Sequence, residues 1–241
     1  PELVAPTLAA AVALALGRPL PQCGARRRRG RRAAAARTCC ACAWEGGRGC
    51  LYLPGLLPDE DFREVLAEYK ECRGRLRDEG PCYAHDRLAA VAPRGGAAER
   101  ALWGPHLAER LRLALGLAGP LVPLAGFPVE YREYRSGSWM EWHTDEAMTE
   151  PPQVELVYTV ENSSDSVTRW ARSQSEAHGG QTQEVRTEAN SGFFVKAEGA
   201  SHMVTPVRRG FRAIAKAVFA TPGAKRTDAW AWNLEMLKHF A

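Results

Sequence analysis

The sequence lacks an apolar run long enough to cross a membrane. Leu8 to Leu16 is apolar but falls well short of the ~20 residues that a spanning helix needs. Acids are scarce at the start, where residues 1–43 hold eight Arg, no Lys and one acid, Glu2. Residues 44–241 hold 24 bases and 27 acids, so the net charge of +4 comes from the first segment. No nucleic-acid partner is therefore expected for the remainder, which lacks a basic excess.

The first segment, residues 1–43, has the composition of a removable leader. It is rich in Arg and Ala and poor in acids, which is typical of a chloroplast or mitochondrial transit peptide, and Ala41-Cys42-Ala43 offers a small-residue processing site. We therefore expect an organellar location, with the chloroplast favoured. The run Leu8 to Leu16 also resembles a signal-peptide core, so the secretory pathway or endoplasmic reticulum is an alternative, and an unprocessed basic tail is a third.

The cysteines do not form an even disulfide framework. Four of the seven, Cys23, Cys39, Cys40 and Cys42, lie in the leader, and their spacing is unlike that of structural zinc modules. The odd remainder of Cys50, Cys72 and Cys82 favours reduced, buried thiols, with a bridge between Cys72 and Cys82 as the alternative.

Helix signals lie on both sides of a central region. Pro58 followed by the acids 59–61 marks a helix start, with its stop at Gly80-Pro81, and 97–117 has the apolar spacing of a second helix. In the tail, Asp228 to Phe240 predicts an amphipathic helix that packs on the core through Trp230, Leu234 and Leu237. We predict one domain at 44–222, helical over 56–117, followed by a tail at 223–241.

The central region is predicted to be a jelly roll. From residue 120 the chain becomes short β-branched and aromatic segments separated by turn residues. Strands are expected near 129–135, 154–161, 166–170, 182–187, 192–197, 202–205 and 211–219. Many short strands without intervening helices indicate a sandwich or a jelly roll, and we expect a jelly roll, or double-stranded β-helix, over 120–222. The fold class is therefore mainly β with flanking α, the N-terminal helices packing on the outer face of the jelly roll.

Three residues have the pattern of a metal site. His143 and Asp145 are two positions apart at the end of a predicted strand, so both side chains leave the same face. Two His and one carboxylate form the facial triad of non-haem iron oxygenases, which leaves positions open for cosubstrate and O2. His202, at the start of another predicted strand, is the candidate third ligand.

Ten residues after His202, Arg212 enters a further predicted strand. An inward-facing Arg can bind one carboxylate of a dicarboxylate while the other end of that molecule chelates iron. Lys216 has the same strand parity as Arg212, so it is an alternative carboxylate partner. The sequence therefore predicts a cosubstrate site beside the metal site.

These motifs resemble the 2-oxoglutarate oxygenases, and among them the prolyl 4-hydroxylase catalytic domain, over roughly residues 50–220. Tyr134 to Gly137, followed by His143 and Asp145, is similar to that family's Tyr-x-x-Gly and His-x-Asp, and His202 to Arg212 is similar to its distal segment. The resemblance implies that Tyr134 also binds 2-oxoglutarate. Two features depart from the prolyl hydroxylases: they usually carry Lys at the position of Arg212, and their substrate-side loops do not match 158–172.

The resemblance implies an Fe(II)- and 2-oxoglutarate-dependent dioxygenase that hydroxylates a protein, a peptide or a small molecule. O2 and 2-oxoglutarate would be its co-reactants, succinate and CO2 its products, and ascorbate the reductant that maintains Fe(II). Alternatives are a non-catalytic jelly-roll module that binds at the same pocket, and a zinc hydrolase using the same three residues. The zinc hydrolase leaves Arg212 without a role.

Overall fold

The structure is a computed structural model and describes residues 49–80 and 84–238. The predicted leader, its processing site and Cys82 lie outside the described residues. Within the described part, no helix is long and apolar enough to span a bilayer. Cys50 and Cys72 are buried free thiols, as expected, and burial raises the pKa of the Cys50 thiol above its usual range.

The described residues form a strand-rich fold. The strands are β1 (Cys50–Pro54), β2 (Arg77–Asp78), β3 (Ala84–Val91), β4 (Val122–Pro123), β5 (Glu130–His143), β6 (Thr149–Glu150), β7 (Val154–Asn162), β8 (Thr168–Ala171), β9 (Gln183–Val185), β10 (Ser191–Lys196), β11 (Ser201–Val204), β12 (Arg212–Ala220) and β13 (Lys225–Arg226). The helices are α1 (Asp59–Cys72), α2 (Ala97–Leu102), α3 (Pro105–Ala114), α4 (Gln174–His178) and α5 (Ala229–Leu237). All seven strands predicted from the sequence are present, with shifted ends.

One antiparallel sheet contains most of the strands, in the order β1-β10-β7-β12-β5-β11-β8-β9. The long strand β5 connects the two halves of the sheet. Its first part pairs Tyr134 with Arg212 of β12, and its last residue, His143, pairs with His202 of β11. Between these parts Gly137 has φ +97°, a backbone conformation that residues with a Cβ rarely adopt. The sheet curls on itself, which confirms the predicted jelly roll.

Alternation along β12 separates an outer core from an inner cavity. Ala213, Ala215 and Ala217 face outward and are buried with residues of the helices, among them Val65 and Leu111. Small side chains let helices approach the strand closely, while the alternate residues of β12 point to the opposite face. The N-terminal helices therefore pack on the outer face of the sheet, as predicted.

Two helix predictions need correction. The helix predicted to end at Gly80-Pro81 ends at Cys72, followed by a 3-10 turn over Arg73–Arg75, in which the low helix propensity of Gly74 is unfavourable for continuation. The helix predicted over 97–117 is two helices, because Pro105 cannot donate a helical hydrogen bond and instead begins α3. The predicted helical part 56–117 also contains β3, which pairs along β5.

Helix α5 lies within the predicted segment 228–240. Trp230 packs edge-on against Phe127, with ring centroids 4.9 Å apart, and the Arg226 guanidinium stacks on its indole at 4.2 Å. Trp230 and Leu237 are buried, as predicted for core packing, but Leu234 is 36% exposed. The predicted apolar stripe is therefore only partly buried.

Candidate metal centre and cosubstrate cavity

His143, Asp145 and His202 meet where β5 and β11 pair. The two histidines are direct partners in the antiparallel register, and Asp145 follows two residues after His143. Nε2 of His143 lies 3.5 Å from one Asp145 oxygen, and Nε2 of His202 lies 3.7 Å from the other. One candidate ligand atom from each residue lies within 4.8 Å of the others. Strand pairing thus brings together the three residues predicted from the sequence.

The hydrogen bonds and charges of this cluster favour metal binding. Nδ1 of His143 donates to the Glu141 carbonyl at 2.8 Å, and Nδ1 of His202 donates to the Ala200 carbonyl at 3.4 Å, so Nε2 of each ring points toward Asp145. Burial lowers the pKa of His202 to about 4, so its imidazole is neutral near pH 7. Burial would raise the pKa of Asp145, but His202 and His143 hold it low, so it is ionised. Neutral imidazoles and a carboxylate are the protonation states that bind metal.

Arg212 is the largest fully buried side chain of the described residues, at 1% exposure. One terminal nitrogen donates to the Thr168 hydroxyl at 2.8 Å, while its Nε has no hydrogen-bond partner. Among residues 49–80 and 84–238, no carboxylate pairs with the Arg212 guanidinium. An unpaired buried charge is costly, so this arrangement calls for an anion that the described chain does not supply.

The metal cluster and Arg212 line the same cavity. It has a volume of about 500 Å³, within the range of small-molecule sites, and His143, Asp145, His202, Arg212 and Tyr134 are on its wall. A small ligand in this space can therefore contact both groups.

Comparison of the structure with solved structures finds the same architecture. A Pseudomonas putida prolyl-4-hydroxylase matches with a TM-score of 0.56 and 16% identity over 76% of this chain and 100% of that one. A 2OG-Fe(II) oxygenase family oxidoreductase from Burkholderia pseudomallei matches with a TM-score of 0.58 and 14% identity, over 78% of this chain and 91% of that one. The epimerase SnoN, in complex with Fe³⁺, alpha ketoglutarate and nogalamycin RO, matches at 0.63 and 14%, over 80% and 87%. The fold is that of the 2-oxoglutarate-dependent oxygenases.

Among the comparisons with known proteins, the similarity is found between structures. No protein-family model matches the sequence, and no curated protein is a significant match to it. At 14–16% identity the solved structures establish the fold, whereas the roles of individual residues depend on the geometry of the cavity.

Tyr134, the second predicted cosubstrate residue of this oxygenase fold, lies beside Arg212. The two residues are direct partners between β5 and β12, and the Arg212 guanidinium carbon is 6.0 Å from the Tyr134 ring centroid. The Tyr134 hydroxyl accepts a hydrogen bond from Arg87 at 2.7 Å. The position agrees with the predicted contact to 2-oxoglutarate, and that role stays a prediction.

Lys216, the alternative carboxylate partner, already has a partner within the chain. Its Nζ lies 2.6 Å from a Glu155 oxygen, and both side chains are largely buried in the cavity wall. Burial would lower the pKa of Lys216, but Glu155 raises it, so the ammonium remains charged. Arg212 is therefore the better candidate of the two for an incoming carboxylate.

Several cavity residues were not found by sequence reasoning. Glu130 and Arg132 precede Tyr134 at two-residue spacing on β5, so strand parity could have placed them on the same inner face. Glu79 and Arg87 had no comparable signal, because a pair of charges near a turn usually lies on the surface. They are buried together only because β3 pairs with β5.

Few of the large apolar side chains close in sequence to the metal cluster reach the cavity. Of Trp139, Met140, Trp142 and Trp170, Met140 alone lines it. Trp139 instead stacks on His85, with ring centroids 4.2 Å apart. Helix α5 supplies Trp232 and Met236 to the cavity wall, so the tail contributes to the site as well as to the core.

The residues present fit an iron ion and 2-oxoglutarate. Two imidazoles and one carboxylate are the protein ligands of a facial-triad iron site. The buried Nε of Arg212, which has no hydrogen-bond partner, fits a carboxylate acceptor in the same cavity. A dicarboxylate such as 2-oxoglutarate has the chemistry to contact both the metal and Arg212.

Proposed function

We propose that this protein is an Fe(II)- and 2-oxoglutarate-dependent dioxygenase that hydroxylates a protein, a peptide or a small molecule. The observation that carries the proposal is one cavity with a His-Asp-His cluster and a buried Arg212 that has no carboxylate partner among the described residues. The oxygenase fold supports it, and the solved structures described above include a prolyl-4-hydroxylase, a 2OG-Fe(II) oxygenase family oxidoreductase and an epimerase in complex with Fe³⁺ and alpha ketoglutarate.

The residues take distinct roles in this proposal. His143, Asp145 and His202 hold Fe(II), while Arg212 binds the carboxylate of 2-oxoglutarate remote from the metal, with Tyr134 as a second donor. Thr168 holds Arg212 in place through its hydroxyl. The cavity wall excludes bulk water and fixes the cosubstrate orientation, and both are contributions that a protein makes to cofactor chemistry.

Bound Fe(II) would supply O2 activation coupled to decarboxylation of 2-oxoglutarate. In the overall reaction one oxygen atom of O2 enters succinate and the other enters the hydroxylated product, with release of CO2. We propose ascorbate as the reductant that keeps the iron as Fe(II), from the family resemblance. Phe127, Met148 and Met236 line the cavity, which favours a substrate with an apolar part at its reacting carbon.

The test is succinate formation from 2-oxoglutarate by the full chain, purified without oxygen, loaded with Fe(II) and ascorbate and then exposed to air. We expect slow turnover that is lost in Asp145→Ala and kept in Asp59→Ala, an exposed acid on α1. Replacement of Fe(II) by Zn²⁺ should abolish it.

A protein that binds 2-oxoglutarate but forms no succinate with any tested substrate would favour the non-catalytic module. Turnover of an ester or amide with Zn²⁺ and without 2-oxoglutarate would favour the zinc hydrolase. Turnover unchanged in Asp145→Ala would contradict the proposed metal site.

A further inference from the structure

Arg87 is a buried cation in the cavity wall next to Tyr134. It lies on β3, directly opposite Tyr134 of β5, and it is 6% exposed. Its Nη1 donates to the Tyr134 hydroxyl at 2.7 Å, and its guanidinium carbon lies 5.3 Å from the centroid of the Tyr134 ring. The Tyr134 side chain therefore lies between two guanidinium groups, those of Arg87 and Arg212.

Glu79 fixes the orientation of Arg87. Its two oxygens accept hydrogen bonds from Nε and Nη2 of Arg87, the second at 2.7 Å, in a two-pronged pair that leaves Nη1 to contact Tyr134. Nη2 of Arg132 also lies 3.1 Å from Oε1 of Glu79. Arg87 is thus held by a carboxylate on one side and contacts the phenol on the other.

The hydrogen bond from Arg87 determines what the Tyr134 hydroxyl can do. A guanidinium only donates, so it occupies an acceptor position of the phenol oxygen, and the phenol proton must point elsewhere. Among residues 49–80 and 84–238, the acceptor near this proton is Met140 Sδ, which lies 3.5 Å from the Tyr134 oxygen and also 3.5 Å from Nη1 of Arg87, and a thioether is a weak acceptor. The Tyr134 proton is therefore available to a stronger acceptor that enters the cavity.

We propose that Arg87, held by Glu79, is a positioning residue that makes the Tyr134 hydroxyl a donor to the carboxylate bound at Arg212. The inference rests on the proposed function, because that carboxylate belongs to 2-oxoglutarate. It explains why a charged pair lies in the cavity wall, where a buried ion pair by itself adds little stability.

The test measures 2-oxoglutarate binding to the Mn²⁺-loaded full chain without oxygen, by calorimetry. Arg87→Met and Tyr134→Phe should each weaken binding roughly 10-fold or more, the effect of losing a hydrogen bond to a charged group. Because both changes remove the same donor, the double variant should bind about as weakly as the weaker single variant. With Fe(II) and air, the KM for 2-oxoglutarate should rise in Arg87→Met while kcat at saturation changes less than about twofold.

A second variant separates positioning from folding. Arg87→Met leaves Glu79 with Arg132 as its ion-pair partner among the described residues, so Glu79→Gln combined with Arg87→Met removes both charges of the Glu79–Arg87 pair. We expect this variant to unfold thermally close to the wild type and to bind 2-oxoglutarate as weakly as Arg87→Met.

Losses that add up in the double variant with Tyr134→Phe would overturn the inference, as would wild-type 2-oxoglutarate affinity in both variants that lack Arg87. Either result leaves the proposed function intact if the wild type binds 2-oxoglutarate. Absence of binding by the wild type would overturn the proposed function and this inference with it.

Discussion

Buried charges on the cavity wall have different partners from those at the two binding groups, which are the His-Asp-His cluster and Arg212. On the wall, Lys216 pairs with Glu155 and Arg87 pairs with Glu79. At the metal cluster, Asp145 faces two imidazoles and no Lys or Arg within 4.0 Å among the described residues. Arg212 likewise has no carboxylate partner among the described residues.

This difference distinguishes charges that complete the fold from charges that await a ligand. A buried ion pair satisfies itself, whereas a buried charge without a partner costs free energy until a ligand neutralises it. The His-Asp-His cluster fits a cation and Arg212 fits an anion, so one cavity can bind a metal ion and a dicarboxylate together. We therefore expect substitutions at the metal cluster, at Arg212 and on the cavity wall to have different effects.

The largest expected effect is loss of a metal ligand. His202→Ala should weaken Fe(II) or Mn²⁺ binding by more than about 100-fold, beyond the loss that follows removal of an outer partner of a ligand, and succinate formation should disappear. His106→Ala, an exposed histidine on α3, is the matched control and should bind metal like the wild type. Calorimetric metal titration measures both, and equal affinities would contradict the assignment of His202.

Arg212→Ala should affect the cosubstrate and leave the metal bound. Truncation of one partner of a buried charge pair costs about 2 to 5 kcal/mol, so 2-oxoglutarate affinity should fall by roughly 30-fold or more. Arg209→Ala, an exposed arginine just before β12, should have no such effect. Metal and 2-oxoglutarate titrations of the same samples test the separation, and parallel loss of both affinities would argue against it.

Glu79 should affect the fold through pH. Burial would raise the pKa of this carboxyl, but Arg132 and Arg87 lower it from 4.5 to about 2. Because the folded pKa lies below the unfolded one, the ionised carboxylate stabilises the fold above about pH 4.5, and this contribution is lost as the pH falls toward about 2. Between about pH 4.5 and about pH 2, the free energy of unfolding of the wild type should therefore fall by on the order of 2 kcal/mol more than that of Glu79→Gln.

Urea unfolding of the two proteins across this pH range measures the difference in free energy. Curves that remain parallel would show that Glu79 is not held ionised by its arginine partners. In the expected case the curves converge as the pH falls.

The smallest expected effect is that of Trp232→Ala on α5. Trp232 is 63% exposed at the cavity, so Trp232→Ala should change the free energy of unfolding by less than about 0.5 kcal/mol. Its buried neighbour Trp230 is 7% exposed and packs on Phe127, so Trp230→Ala should cost about 3 to 5 kcal/mol. Equal costs in denaturant unfolding would contradict this division of the helix into a core face and a cavity face.

Much of the jelly roll could be predicted because its strands have strong local patterns. The segments that became β7, β10 and β12 are rich in β-branched or aromatic residues and end at turn residues, and each lies within a few residues of its expected place. The metal cluster was also predictable, since His-x-Asp and His202 occupy strand ends. These signals are local in sequence.

What the sequence could not predict depends on contacts between distant segments. β3 contains charged residues and alanines with no clear alternation, and it is a strand because it pairs along β5. The burial of Arg87 follows from that pairing and from its ion pair with Glu79. Local signals were overlooked at Gly74 and Gly104-Pro105, where the predicted helices end early.

The register pair His143 and His202 has a consequence for the strands that carry it. These residues belong to β5 and β11, which are separated in sequence by five other strands and meet through pairing with a bulge nearby. A metal held by both residues would act as a cross-link between the strands, and ligand linkage adds about 2.7 kcal/mol of stability at a free metal concentration 100 times its Kd. Removal of the metal by a chelator should therefore speed amide hydrogen exchange first along β11. Iron bound by His143 and His202 would thus stabilise the jelly roll where β5 pairs with β11.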